Sequence, residues 1–444
     1  MSVTRIEEDS LGAVELPADC LYGIQTARAA ANFELGFRPV HPELILAMAA
    51  VKKAAMSAYR DLETDLARRP LWEAAAAACD RIAAGEARDA FPVDALQGGA
   101  GTSLHMNVNE VIANLTLQIL GDKPGNYRRI DPLDMINRGQ STNDVYPTAL
   151  RIASIRLLRR LSEECARLQE SLQRKENAFA AVAKLGRTEW MDAVPITLGE
   201  EFGAFAQAIG RDRWRLYKVE ERLRQTNLGG TAVGTGTNAD KKYVFRVTEL
   251  LREQTGIGLA RAEYPMDLTQ NNDVFVEVSG LLKALAVNLC KISGDLRRMN
   301  SGPKGGLGEI RLAELQAGST IMPGKVNPVI PEMATQAAFR VIANDGAITM
   351  AAAAGEFELN AFLPLIADSL LESLSLLLAA VRLFRERGID GVAACPGRCA
   401  ELLDGSYAFA AKFVPLLGYH KVAEIIRASA GDVAAARAEM EKLR

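Results

Sequence analysis

The sequence predicts a mainly α-helical protein built around a bundle of long helices, and three observations lead to that reading. Apolar residues recur at three- and four-residue spacing over segments far longer than a strand. The alternating patterns of half-buried strands are scarce. Short pieces rich in Gly, Pro, Asn and Ser separate the long segments, as helix-connecting loops do.

The first long segment covers residues 146–180, with Leu150, Ile155, Leu158, Leu161, Cys165, Leu168 and Leu172 on its inner face. Its length already exceeds that of an average globular helix. Further helices are predicted over 197–225, 272–299, 331–354 and 364–387. The alanine runs at 74–78 and 351–354 suit helix interiors. Turn-rich stretches near 131–144 and 390–397 mark off an N-terminal helical domain (1–140), a central long-helix bundle (141–395) and a short C-terminal helical domain (396–444). The inner faces of the central helices are broad enough to pack on more than one neighbour, which predicts self-association.

The 444 residues are ample for a sizeable core, and a formal charge of -3 gives no electrostatic case for nucleic acid or a membrane surface as partner. A small-molecule substrate remains. The six cysteines are scattered, so no disulfide framework is expected. His41, His105 and His420 lie far apart and form no ligand-spaced cluster, so no protein-built metal site is expected. The N-terminus, MSVTRIEEDSLG, lacks an apolar signal core and no run reaches 18 uninterrupted apolar residues; the expected location is cytoplasmic.

Four loops hold more hydroxyls, amides and glycines than a turn needs. The first, QGGAGTSLHMNVN at 97–109, has Gly98, Gly99 and Gly101 for close backbone approach and Thr102, Ser103 and Asn107 as donors; a glycine-rich turn opening a helix is its bland alternative. In NRGQSTNDVYP at 137–147, Ser141, Thr142 and Asn143 are consecutive. An N-cap accounts for one of them, and three adjacent short donors suit a carboxylate. In GRTEWMDAVPITLGEE at 186–201, Arg187 and Asp192 read as a structural ion pair, and Thr188 and Glu189 as functional candidates. The fourth, AGSTIMPGKVNPVIPE at 317–332, places Ser319, Thr320, Lys325 and Asn327 between two helices, as in a loop that closes on substrate. Lys325 and Asn327 suit a carboxylate. Ser319 could remove a proton only if its alkoxide were stabilised, and with no histidine nearby its role stays open.

These loops, in this order, resemble those of the aspartase/fumarase superfamily, whose signature GSSxMPxKxN is close to GSTIMPGKVNP. RIEED, LPAD, QGGAGTS, QSTND, LQAGS and NPVIPE place the chain nearer the aspartases than the fumarases, with similarity from Arg5 to about Pro396 and a C-terminal part that looks shorter than is typical. The resemblance implies a three-domain, mainly helical fold, a homotetramer around a twenty-helix core, and active sites drawing loops from three subunits. It implies a carbon-nitrogen lyase that needs no organic cofactor and releases fumarate from aspartate through an aci-carboxylate. Carried over by position, Thr102, Ser141, Thr142 and Thr320 bind the β-carboxylate, and Lys325, Asn327 and Thr188 the α-carboxylate. Asn143 lies near the amino group, Ser319 is the general base, and Glu332 is the carboxylate that pairs with a histidine in relatives that have one.

The chain departs from that pattern at Glu189, where relatives carry His or Gln, and continues with Trp190 and Met191. Glu189 and Glu332 would then be neighbouring acids sharing a proton. An N-substituted aspartate with a larger or more basic amine becomes an alternative substrate; a fumarase-type hydro-lyase and a catalytically silent structural relative are others. His105 stands where aspartases often show Asn, and packing on the loop is its expected role.

Overall fold

The computed structural model describes residues 3–36 and 38–444. The five long predicted helices form at Thr142–Ala178, Leu198–Leu223, Asp273–Met299, Val329–Ala353 and Leu363–Leu383. All seven residues predicted for the inner face of the first are at most 1% exposed. That helix starts four residues before its predicted start and takes Pro147 into its second turn. Pro147 has no N–H to give to the Asn143 carbonyl. Asn227 Nδ2 donates to that carbonyl instead, at 2.9 Å, which repairs the ladder and joins a second loop to the helix start. Among the described residues the strands form four two-stranded sheets.

The chain divides into two compact units. One comprises the residues up to Arg160 together with Arg215–Lys283 and Arg340–Leu376. In it the helix Pro42–Leu62 packs on Arg69–Ala83 and Lys241–Thr255, and Tyr59 stacks between Trp72 and Tyr243 at centroid distances of 5.2 and 4.5 Å. The helix Thr102–Ile119 is enclosed from Leu104 to Leu117, so its polar residues need internal partners. Glu110 finds them at the start of the helix Ile24–Asn32: it accepts from the backbone N–H of Gly23, Gln25 and Thr26 and from the Thr26 hydroxyl.

The other unit comprises Leu161–Trp214, Ala284–Phe339 and Leu377–Arg444. It holds the antiparallel hairpin Ala183–Thr188 with Met191–Thr197. Its C-terminal helices bury Phe409, Phe413, Val422, Ile425 and Met440 against one another. The run Leu363–Ile389 is long and apolar enough to cross a membrane; 61% of its most apolar window is buried inside the protein, as in a core helix.

Candidate active site

In the first unit the 97–109 and 137–147 loops meet. Gly101 precedes the helix Thr102–Ile119 at φ 97°, and a Cβ there would lie 2.2 Å from the Tyr146 ring, so conformation and space both require glycine. One turn further on, His105 Nδ1 lies 2.8 Å from Thr142 Oγ1. Thr102 stays exposed at the helix start, its hydroxyl donating to the Gly99 carbonyl at 2.7 Å. Asn107 is not a ligand donor: it is fully buried and donates to the Ala90 carbonyl at 2.9 Å.

Ser141 Oγ accepts the Asn143 N–H at 3.2 Å, a capping role. Asn143 Nδ2 donates to the Ala232 carbonyl at 2.7 Å, which turns the amide so that Oδ1 is left as an acceptor. Asp144 accepts the backbone N–H groups of Ser141, Gly229 and Thr231 at 2.9 to 3.0 Å. Apolar periodicity and donor density do not single out the 227–232 loop, although its glycines are a visible signal: Gly229 at φ 84° and Thr231 at φ 56° give it the left-handed turns that aim its amides at Asp144. Lys52, also missed, is fully buried and donates to Asn137 Oδ1 at 3.1 Å. Burial pushes the Lys52 ammonium down to about 7, against the pull of Asp144. Burial likewise raises the Asp144 carboxyl to about 6, opposed by its three amide donors and by Lys52.

In the second unit Thr188 ends one strand of the hairpin, and Glu189 and Trp190, both exposed, form its two-residue turn at φ 53° and 68°. Two successive positive φ values are what a tight hairpin of this twist requires, and glycine or asparagine usually supplies them. Here Glu and Trp hold the turn, with the Arg298 guanidinium 5.0 Å from the Trp190 ring centroid. The hairpin is anchored below by buried charge. Glu309, with no exposure, pairs with Arg187 and with Lys184 at 2.9 Å each, and Lys184 also reaches Glu201 at 2.7 Å. Arg187 is thus structural, but the expected pair with Asp192, its cross-strand neighbour, does not form: the guanidinium turns to the buried Glu309 instead.

The signature loop closes on itself. Gly318 donates its N–H to the Lys325 carbonyl at 2.8 Å and accepts from Asn327 Nδ2 at 2.9 Å. A Cβ at Gly318 would come within 2.6 Å of that Lys325 carbonyl. Ser319 Oγ accepts the N–H groups of Ile321 at 3.2 Å and Met322 at 3.0 Å. Lys325, Asn327 and Glu332 line a cleft of about 1120 Å³ together with Trp190. The cations Arg297, Arg298, Lys304, Arg311, Lys325 and Arg398 outnumber the acids Glu314, Glu332 and Glu401 on its walls, so its field favours a dianion. Glu332 lies 3.8 Å from Arg297. The chain therefore offers two donor sets: hydroxyls and an amide in the first unit, and a serine, a lysine and a second amide in the other.

A family model described as Lyase matches residues 12–343. The chain belongs to the aspartase/fumarase lyase family. Aspartate ammonia-lyase of a Bacillus species is 44% identical over 423 residues, covering 95% of this chain and 90% of that protein. The enzyme of the same name from Escherichia coli K12 is 43% identical, covering 94% and 87%. Among solved structures, fumarate lyase:delta crystallin from Brucella melitensis in native form has a TM-score of 0.91 at 43% identity, covering 98% of this chain and 100% of that one. A class II fumarase from Schistosoma mansoni has a TM-score of 0.94 at 28% identity, covering 99% and 96%. Shared fold thus does not separate activities within the family; the residues of the site do.

Proposed function

We propose that the protein is a carbon-nitrogen lyase that carries out the reversible anti elimination of ammonia from L-aspartate to give fumarate. The observation that carries this reading is the environment of Ser319. Two backbone amides point at its Oγ within the signature loop, and fixed N–H donors stabilise an alkoxide where no histidine is at hand. The relatives named aspartate ammonia-lyase, at 43 to 44% identity over nearly the whole chain, support the choice of substrate.

In this mechanism the Ser319 alkoxide takes the proton from the carbon β to the amine. The electron pair of the broken C–H bond moves into the adjacent carboxylate, giving an aci-carboxylate dianion. That pair then returns to form the trans double bond as the C–N bond breaks, and the nitrogen leaves with the electrons of that bond. The barrier falls to the extent that donors already face the carboxylate oxygens that gain charge. Thr102, Ser141, Thr142 and Thr320 serve the β-carboxylate, and Lys325, Asn327 and Thr188 the α-carboxylate. Asn143 faces the amine with Oδ1, because Ala232 holds its Nδ2. Glu332 and Glu189 are the acids on the amine side.

The site is completed in a homotetramer that draws its loops from three subunits, with the three segments 1–140, 141–395 and 396–444 as domains. No cofactor enters the reaction, and the enzyme works in the cytoplasm. A second reading, release of fumarate from an N-substituted aspartate, is favoured by one feature: an acid and an indole occupy the hairpin turn, and Trp190 reaches a cleft far larger than one small amine needs. Purified protein mixed in turn with aspartate, malate and N-substituted aspartates, with fumarate followed by its ultraviolet absorbance, tests both readings. Turnover of malate alone contradicts both.

A further inference from the structure

We propose that His105 is a positioning residue for Thr142: its Nδ1–H donates to Thr142 Oγ1, which leaves the threonine hydroxyl proton for a substrate carboxylate. This rests on the reading that Thr142 faces a carboxylate. The contact is short, 2.8 Å, and both residues are buried, His105 to 1% exposure. A hydroxyl in such a contact can take either role, and its usefulness to a dianion depends on which. As donor to the imidazole, Thr142 would have no proton left to offer. As acceptor, it keeps one.

The far side of the ring decides between these. His105 Nε2 is buried with no hydrogen-bond partner. A neutral imidazole carries one proton, so if Thr142 donated to Nδ1 the proton would sit on Nε2 as a buried N–H with nowhere to go. Orphaned buried N–H groups are the rarer kind of unpaired polar atom, and a bare ring nitrogen is easier to tolerate. The proton therefore belongs on Nδ1. Double protonation is opposed by burial first and by the nearby Lys52 ammonium second, both of which hold the ring well below its usual basicity. The helix also sets the placement. Thr102 and His105 are three residues apart on one face of Thr102–Ile119, so the element that presents the Thr102 hydroxyl also orients the Thr142 hydroxyl.

The direct test is the tautomer of His105 in the intact wild-type protein. The chain has three histidines, so nitrogen-15 imidazole spectra can be assigned with His41→Gln and His420→Gln, leaving position 105 untouched. The expected signature is a neutral ring protonated on Nδ1; a ring protonated on Nε2 overturns the proposal. The second arm measures the affinity for succinate, an unreactive dicarboxylate, in wild type, His105→Phe, Thr142→Val and the double variant. Each single change should weaken binding about tenfold or more, the scale of one hydrogen bond to a charged group. The double variant should bind no more weakly than Thr142→Val alone, whereas a purely structural histidine would give additive losses. Additivity, or no succinate binding by the wild type, overturns the proposal. If aspartate yields no fumarate while the tautomer and the non-additivity hold, the reaction reading fails and this inference stands.

Discussion

The two donor sets differ in how they are held. Around Thr142 in the first unit, His105, Thr142, Asp144 and Asn227 are buried and the partners are assigned: His105 to Thr142, Asp144 to three amides, Asn227 to the carbonyl that Pro147 leaves free, and the half-buried Asn143 to Ala232. Around Ser319 the chain is open, with Ile321 84% exposed and Lys325 at the surface, and the loop is held mainly by its own backbone. Binding a carboxylate that is present throughout the reaction favours donors fixed in advance. Bringing a base to a substrate and releasing the product favours a segment with few buried contacts. In the proposed mechanism the same chain supplies both, with its core holding one set and its turn chemistry the other.

The contrast is broken most severely at Ser319, the proposed base. Ser319→Ala should lower kcat for fumarate formation by about a thousandfold, within the range for loss of a positioned general base, while KM for aspartate changes little. Steady-state kinetics separate the two constants, and an unchanged kcat would remove Ser319 from the chemistry.

Two glycine substitutions compare the regions by stability. Gly101→Ala combines a positive φ with a Cβ driven into Tyr146, and should cost about 3 kcal/mol or more by adding overpacking to backbone strain. Gly324→Ala also has a positive φ, 80°, but nothing within 4 Å of the added Cβ, so the strain alone, about 1 to 2 kcal/mol, should appear. Thermal unfolding of both variants gives the ranking, and equal losses would mean that the signature loop is as tightly packed as the 97–109 loop.

Much of this was legible in the sequence. The long helices follow from apolar spacing, and the four polar loops from their excess of donors over turn requirements. What escaped was what lies between the loops. Lys52 sits in a helix with no pattern to distinguish it, Asp144 looks like one more capping residue, and Glu309 follows a glycine-rich stretch far in sequence from Arg187 and Lys184. Each acquires its role by burial against residues distant along the chain, which local periodicity does not encode. Asn107 shows the reverse error: its type suggested a ligand donor, but the enclosed helix uses it to hold Ala90.

Smaller effects probe specificity and pH. Glu189→Gln should shift the ratio of kcat/KM values between aspartate and N-substituted aspartates by about tenfold, the scale of one altered polar contact; an unchanged ratio would remove Glu189 from amine recognition. His105 is held well below its ordinary pKa of 6.5 in the folded protein. A depressed pKa contributes stability that is complete above 6.5, where the unfolded ring is also neutral, and is lost as pH falls toward the folded value. The slope is up to about 1.4 kcal/mol per pH unit. Asp144, raised to about 6 from 3.8, works in the opposite sense, adding stability as pH falls through that interval. Comparing wild type with His105→Phe isolates the histidine: the variant should lose less stability on acidification below pH 6.5, as read from denaturant midpoints.

The central claim is that Ser319, activated by the amides of its own loop, abstracts the β-proton of aspartate. Incubating aspartate deuterated at the β-carbon with wild type and with Ser319→Ala, and following fumarate absorbance together with deuterium washout from unreacted aspartate, tests it most directly. The account predicts fumarate and β-deuterium loss with the wild type and neither at a comparable rate with the variant. Wild-type rates in Ser319→Ala, or release of fumarate from malate but not from aspartate, would contradict it.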